Sequence, residues 1–159
     1  VPDFIQGSQL RRLLLGNQVL KSALTLPQTA TGTLFTVSGG AVLVTSLIGV
    51  VSTVVQSSDP VLSLGTAPTT GTAETSGIAT TTVLTSAEVG SIVTVGSSAG
   101  LPTALVVMAT AAKAGNAVFL GTPFVVSAGT ITWTTTASKT GAFNWYLTYI
   151  PLDTGASVS

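Results

Sequence analysis

Short apolar stretches recur along this chain, and each is cut off by glycine, proline or serine within a few residues. The clearest pattern lies near the end. Ile131, Trp133 and Thr135 alternate with Thr130, Thr132 and Thr134, and Phe143, Trp145, Leu147 and Tyr149 alternate with Asn144, Tyr146 and Thr148. A period of two sends successive side chains to opposite sides of a strand, so one set faces a core and the other faces solvent or a neighbour. With the turn Ser138 to Gly141 between them, the two runs read as a closing hairpin in which Trp133 and Trp145 meet across the strands.

Comparable runs predict strands over Leu13–Leu26, Thr33–Val37, Ala41–Val55, Val61–Gly65, Ala79–Thr85, Ser91–Val95, Leu105–Ala109, Ala117–Val126, Thr130–Ala137 and Ala142–Ile150. Turn signals separate them: Ser38-Gly39-Gly40, Asp59-Pro60, Gly96 to Gly100 and Ser127-Ala128-Gly129. Leu101 to Ala114 contains good helix formers with Pro102 placed for a first turn, but its Val106-Val107 centre favours a strand. Thr66 to Thr82, rich in threonine, glycine and alanine, reads as a long loop or edge excursion. Many short strands at near-regular spacing predict an all-β fold, an antiparallel β-sandwich of jelly-roll-like form. Residues 1–12 read as an N-terminal arm, 13–152 as the sandwich domain and 153–159 as a loose C-terminal tail.

Composition sharpens this picture. The 159 residues suit one domain, which at that size buries roughly 70% of its unfolded surface. Only 6% of residues are charged, where about 25% is usual. Five basic and five acidic residues leave a formal net charge of zero. An uncharged domain with a mean hydropathy of +0.67 is prone to associate, so the chain reads as one protomer of an assembly. Arg11, Arg12, Lys21, Lys113 and Lys139 are too few and too scattered for a phosphate-neutralising patch, which argues against direct nucleic-acid binding. The longest apolar run, Ala41 to Val55, is shorter than a membrane-spanning helix and is interrupted by polar residues. The nine aromatic residues are spread too widely for the girdles of a membrane barrel. Val1 to Arg12 does not read as a secretory signal, because no apolar stretch follows a basic start.

The chain has neither histidine nor cysteine, and this removes most routes to catalysis and transition-metal binding. Gly96-Ser97-Ser98-Ala99-Gly100 matches the nucleophile-elbow pattern but lacks a histidine base and runs into Leu101-Pro102, so it reads as a turn between strands. In Lys21-Ser22 and Ser138-Lys139 the two side chains are sequence neighbours, which on a strand point to opposite faces. Asp3, Asp59, Glu74, Glu88 and Asp153 do not cluster as calcium ligands; Glu74 and Glu88 could converge as a carboxylate pair, but nothing in the sequence brings them together. Ser38-Gly39-Gly40 lacks the lysine and the helix of a phosphate loop. No catalytic, cofactor or metal residue is assigned, and no small-molecule ligand is expected. Trp133, Trp145, Tyr146 and Tyr149 remain as an aromatic set, read as packing of the core and subunit interface or, less favoured, as a binding surface for sugar rings or a protein.

Two long segments carry a resemblance. Thr33 to Gln56, TLFTVSGGAVLVTSLIGVVSTVVQ, resembles a segment of virion structural proteins of tailed double-stranded DNA bacteriophages. Val125 to Gly155, VVSAGTITWTTTASKTGAFNWYLTYIPLDTG, is similar to their closing hairpin and its tail. Together they cover about a third of the chain. The resemblance implies a β-rich, oligomeric protein without enzymatic activity. The leading expectation is a capsid decoration or cement protein on the virion surface, acting as a homotrimer whose partners are itself and the major capsid protein. Arg11 and Arg12 would pair with acidic groups on the shell. A phage fibre, head–tail or tail component is the alternative, and a carbohydrate-binding adhesion module is a further one.

Overall fold

The computed structural model describes residues 7–56, 61–84, 86–98, 101–107 and 123–159. Helix α1 (Gly7–Leu15) leads into β1 (Asn17–Thr25), β2 (Thr31–Ser38), β3 (Val42–Thr53), β4 (Val61–Pro68), β5 (Glu74–Val83) and β6 (Ile92–Ser98). There follow β7 (Leu101–Val107), β8 (Phe124–Val126), β9 (Gly129–Thr135), β10 (Ala142–Pro151) and β11 (Ser157–Val158). The first sheet runs β1-β10-β3-β6-β7, with β8 also paired to β3; the second runs β11-β2-β9-β4-β5. Every strand pairing is antiparallel. The predicted two-sheet antiparallel sandwich is present, while these strand orders do not establish the jelly-roll form.

One core fills the space between the sheets. Val42, Val44, Leu47, Val51, Val93, Phe143, Trp145 and Leu147 enter it from the first sheet, and Leu34, Phe35, Val37, Leu62, Leu64, Ile131 and Trp133 from the second. Along β10 the predicted alternation holds: Phe143, Trp145, Leu147 and Tyr149 are buried, while Asn144, Tyr146 and Thr148 are half-buried on the other side.

The closing hairpin needs correction. β9 and β10 are consecutive in sequence but lie in different sheets, so Thr136 to Gly141 crosses the sandwich instead of turning back. Trp133 therefore meets its aromatic partners through the core. Its ring stands edge-on to Trp145 at 5.9 Å and 87°, and to Phe143 at 6.3 Å and 90°. Phe143 and Trp145 stack at 5.7 Å. Side chains near the crossover hold it in place. Gln28 Nε2 donates to the carbonyls of Leu26 (2.8 Å) and Lys139 (2.9 Å), and the Thr29 and Ser138 hydroxyls lie 2.7 Å apart. The Gln56 N–H donates to the Thr140 carbonyl at 3.1 Å, and the Thr135 hydroxyl donates to the Pro27 carbonyl. Six residues with these partners span the gap between sheets, which is about 10 Å.

Both chain ends also depart from expectation. The arm boundary at residue 12 and a strand starting at Leu13 give way to α1, which continues to Leu15. Leucine, arginine and glutamine all favour helix, and Gly16 then ends it in a left-handed conformation (φ 86). The Gly16 N–H donates to the Arg12 carbonyl at 3.0 Å, closing the last turn. Residues 153–159 are not a loose tail. Ser157 and Val158 pair with Ser38 and Val37, and Ser159 and Thr36 exchange two backbone hydrogen bonds of 2.8 and 3.0 Å. Burial of Ala156 and Val158 adds an apolar anchor too small to stand out in sequence. In the stretch read as a long loop or edge excursion, Thr66 to Thr82, β4 extends to Pro68 and β5 begins at Glu74, forming an edge of the second sheet. Val61–Gly65 and Ser91–Val95 are β4 and β6, each a few residues longer or shifted, and Leu105 to Val107 belongs to β7. Residues 108–122, which include most of the expected strand Ala117–Val126, lie outside the described residues, as do 1–6.

Each tryptophan lies over a glycine of the neighbouring strand. Trp133 pairs with Gly32 and Trp145 with Gly49, and a Cβ on Gly49 would stand 2.9 Å from the Trp145 ring. Glycine at these two positions makes room for an indole to lie against the backbone. Gly49→Val is expected to cost about 1–3 kcal/mol through overpacking, read as a lower midpoint in urea unfolding. Removing the central ring matters more. Trp133→Ala should lose about 3–5 kcal/mol, whereas Tyr146→Ala, outside the core, should lose under about 1 kcal/mol; equal losses would contradict this placement.

Candidate interaction surface

The residues considered for chemistry are not assembled into a site. Ser98 ends β6 and Leu101 opens β7, and the two are paired, so Gly96 to Gly100 joins two strands and lacks the strand-to-helix geometry of an elbow. Ala99 and Gly100 themselves fall outside the described residues. Lys21 and Ser22 are neighbours on β1, and Ser138 and Lys139 sit in the crossover. The Ser138 hydroxyl is engaged by Thr29. Glu74 opens β5, Glu88 lies between β5 and β6, and Asp153 accepts the Ala41 N–H through Oδ2 at 2.7 Å. Asp3 and Asp59 lie outside the described residues. Among the described residues, no three histidine, cysteine or acidic side chains come together, and no helix is long and apolar enough to cross a membrane.

The aromatic set divides. Trp133, Trp145 and Tyr149 are buried, at 3%, 0% and 6% exposure. Stacking a sugar ring requires an exposed aromatic face, which these three do not offer. Tyr146 alone points to the outer side of the first sheet.

That outer side is the main surface feature among the described residues. Strand pairing aligns Leu20, Tyr146 and Ile48 in one row, Asn144, Val50 and Ile92 in a second, and Ile150, Leu43 and Val125 in a third. Leu20, Ile150 and Val125 are exposed at 50%, 42% and 61%. None of these positions is charged. The second sheet presents a different exterior. Thr31, Thr33 and Thr36 of β2 lie beside Thr134, Thr132 and Thr130 of β9, and the Thr31 and Thr134 hydroxyls are 2.8 Å apart. The outer side of the first sheet thus carries uncharged apolar rows broken by the polar row Gln18, Thr148 and Ser46, and that of the second carries threonines, of which Thr31, Thr33 and Thr36 are exposed and Thr132 is buried. The sequence held a signal for the first: within Ala41 to Val55, the stretches Ala41 to Val44 and Leu47 to Val51 carry no polar side chain, as expected where a strand is apolar on both faces.

Arg11 and Arg12 lie on α1. Arg12 is exposed and, with Gly16, Asn17, Gln18, Val19, Tyr149 and Val158, lines an open groove of about 470 Å³. The helix also exposes Leu10, Leu14 and Leu15.

No known protein family, curated protein or solved structure matches the chain.

Leu20→Lys and Val125→Lys place a charge on the apolar outer face. Both are expected to keep unfolding free energies within about 0.5 kcal/mol of the parent, and to reduce self-association in sedimentation velocity at high protein concentration. A loss of several kcal/mol would mean that these side chains are core residues.

Proposed function

We propose that the chain is a non-enzymatic structural protein of a tailed-phage virion, decorating or cementing the icosahedral shell as an oligomer. The carrying observation is the uncharged outer face of the first sheet, apolar apart from Gln18, Ser46, Asn144 and Thr148, with Leu20, Ile150 and Val125 open to solvent. Such a face gains about 25 cal/mol per Å² when a joint between subunits covers it. Contacts without charges also change little with ionic strength, a useful property in a particle that meets varied media. The phage setting draws its support from the resemblance of Thr33–Gln56 and Val125–Gly155 to virion segments. In this reading the chain is a homotrimer on local threefold positions, its partners are its own copies and the major capsid protein, and its location is the capsid surface. The exposed Arg12 on α1 supplies a cation for acidic groups of the shell.

Copy number in purified particles, counted by calibrated mass spectrometry, tests the reading. Lattice-wide decoration predicts on the order of hundreds of copies, because symmetry multiplies each shell position. A dozen or fewer would move the protein to the portal, a tail or a fibre, and none at all would end the virion assignment.

A further inference from the structure

We propose that the outer edge of β1 accepts an extended, acidic segment of another protein as an added strand, selected by Arg12 and Lys21. The proposal rests on the structural role given above, which makes the shell protein the source of that segment.

β1 is the terminal strand of the first sheet. One side pairs with β10 from Asn17 to Thr25, and no strand lies against its other side among the described residues. A strand edge presents a row of N–H and C=O groups that require partners, and an incoming strand supplies them. The regular part of this edge is Asn17 to Lys21, because the register shifts between Lys21 and Leu24. Ala23 there has φ 50 and donates its N–H to Asn144 Oδ1 at 2.7 Å. The usable edge is therefore about 17 Å long.

Cations stand at both ends of this edge. At one end Arg12 lines a groove together with Asn17, Gln18 and Val19 of β1 and Tyr149 of β10. At the other, Lys21 sits opposite Trp145 in the strand pairing and so shares its inward side at the margin of the sandwich. Its side chain is half-buried. Among the described residues no acidic side chain pairs with either cation. An acidic strand supplies the missing counter-charges at both ends of the edge.

The same cations exclude a second copy of this chain. Two β1 edges paired with each other would bring Lys21 and Arg12 of both copies together, and like charges across a strand pair are unfavourable. Nor does the chain offer an acidic strand of its own. Its most closely spaced acids, Glu74 and Glu88, are fourteen positions apart in sequence. Lysine on an edge strand commonly blocks unwanted pairing. Here that block leaves acidic partners as the class still admitted.

The test is fluorescence anisotropy of the full chain with a labelled nine-residue peptide alternating valine and glutamate, alongside a counterpart with lysine for glutamate. The acidic peptide should bind, and the basic one should not. Arg12→Ala and Lys21→Ala should each weaken binding about threefold, and the double variant about tenfold, with the effect shrinking in high salt. Lys139→Ala, in the crossover, should leave it unchanged. Amide hydrogen exchange should slow at Asn17–Lys21 when the acidic peptide is present. Equal binding of both peptides, or an unaffected double variant, would overturn the proposal. Assaying the double variant for incorporation into particles separates the two readings. Normal copy number without peptide binding would refute the edge site and leave shell decoration standing. Peptide binding by a chain absent from particles would support the edge site and refute decoration.

Discussion

Trp133 joins the two sheets. It sits on β9 of the second sheet, and its ring stands edge-on to Phe143 and Trp145 of β10 in the first. Edge-to-face contacts of this kind add about 0.5–1.5 kcal/mol each beyond the area they bury. The geometry also fixes direction. For the indole to reach across, β9 and β10 must lie in opposite layers, so the six residues between them have to cross the sandwich. Gln28, Thr29 and Gln56 hold that crossing, and glycines at 32 and 49 give the indoles space. Core, crossover and glycine placement are in this sense one constraint seen at three points.

Because Phe35, Trp133, Phe143, Trp145 and Tyr149 turn inward, the exterior is left mainly to small and aliphatic groups, with Tyr146 among them. One outer face carries rows such as Leu20, Tyr146 and Ile48, and the other carries paired threonines. With so few charges the molecule has little to oppose close approach of a neighbour. Arg12 and Lys21, two of the three cations near the N-terminus, flank the β1 edge, where in the proposed reading they choose a partner by charge. A chain with this distribution is suited to binding through faces and edges, and the proposed role in a shell uses both.

Much of the fold was legible because strands declare themselves by alternation. Phe143, Trp145, Leu147 and Tyr149 could be assigned to the core from spacing alone, and most other strands lie where β-branched residues cluster between turn signals. What alternation does not encode is the layer to which a strand belongs. A turn of serine, lysine and glycine between two alternating runs fits a hairpin and a crossover equally well, so Trp133 and Trp145 were correctly expected to meet but on the wrong path. The C-terminal strand was missed because Ala156 and Val158 are a short apolar signal among small polar residues. α1 was missed because its leucines follow a polar start and merge into the run that becomes β1. The outer apolar face needed the register of β1, β10, β3 and β8, which no single strand reveals.

The central claim is that the apolar outer face of the first sheet is covered when the protein is at work. Hydroxyl-radical footprinting of Tyr146, Leu20 and Ile48 in intact particles, compared with the same chain released from them, tests this most directly. The account predicts strong protection of all three in the particle and its loss on release. Equal reactivity in both states would contradict it.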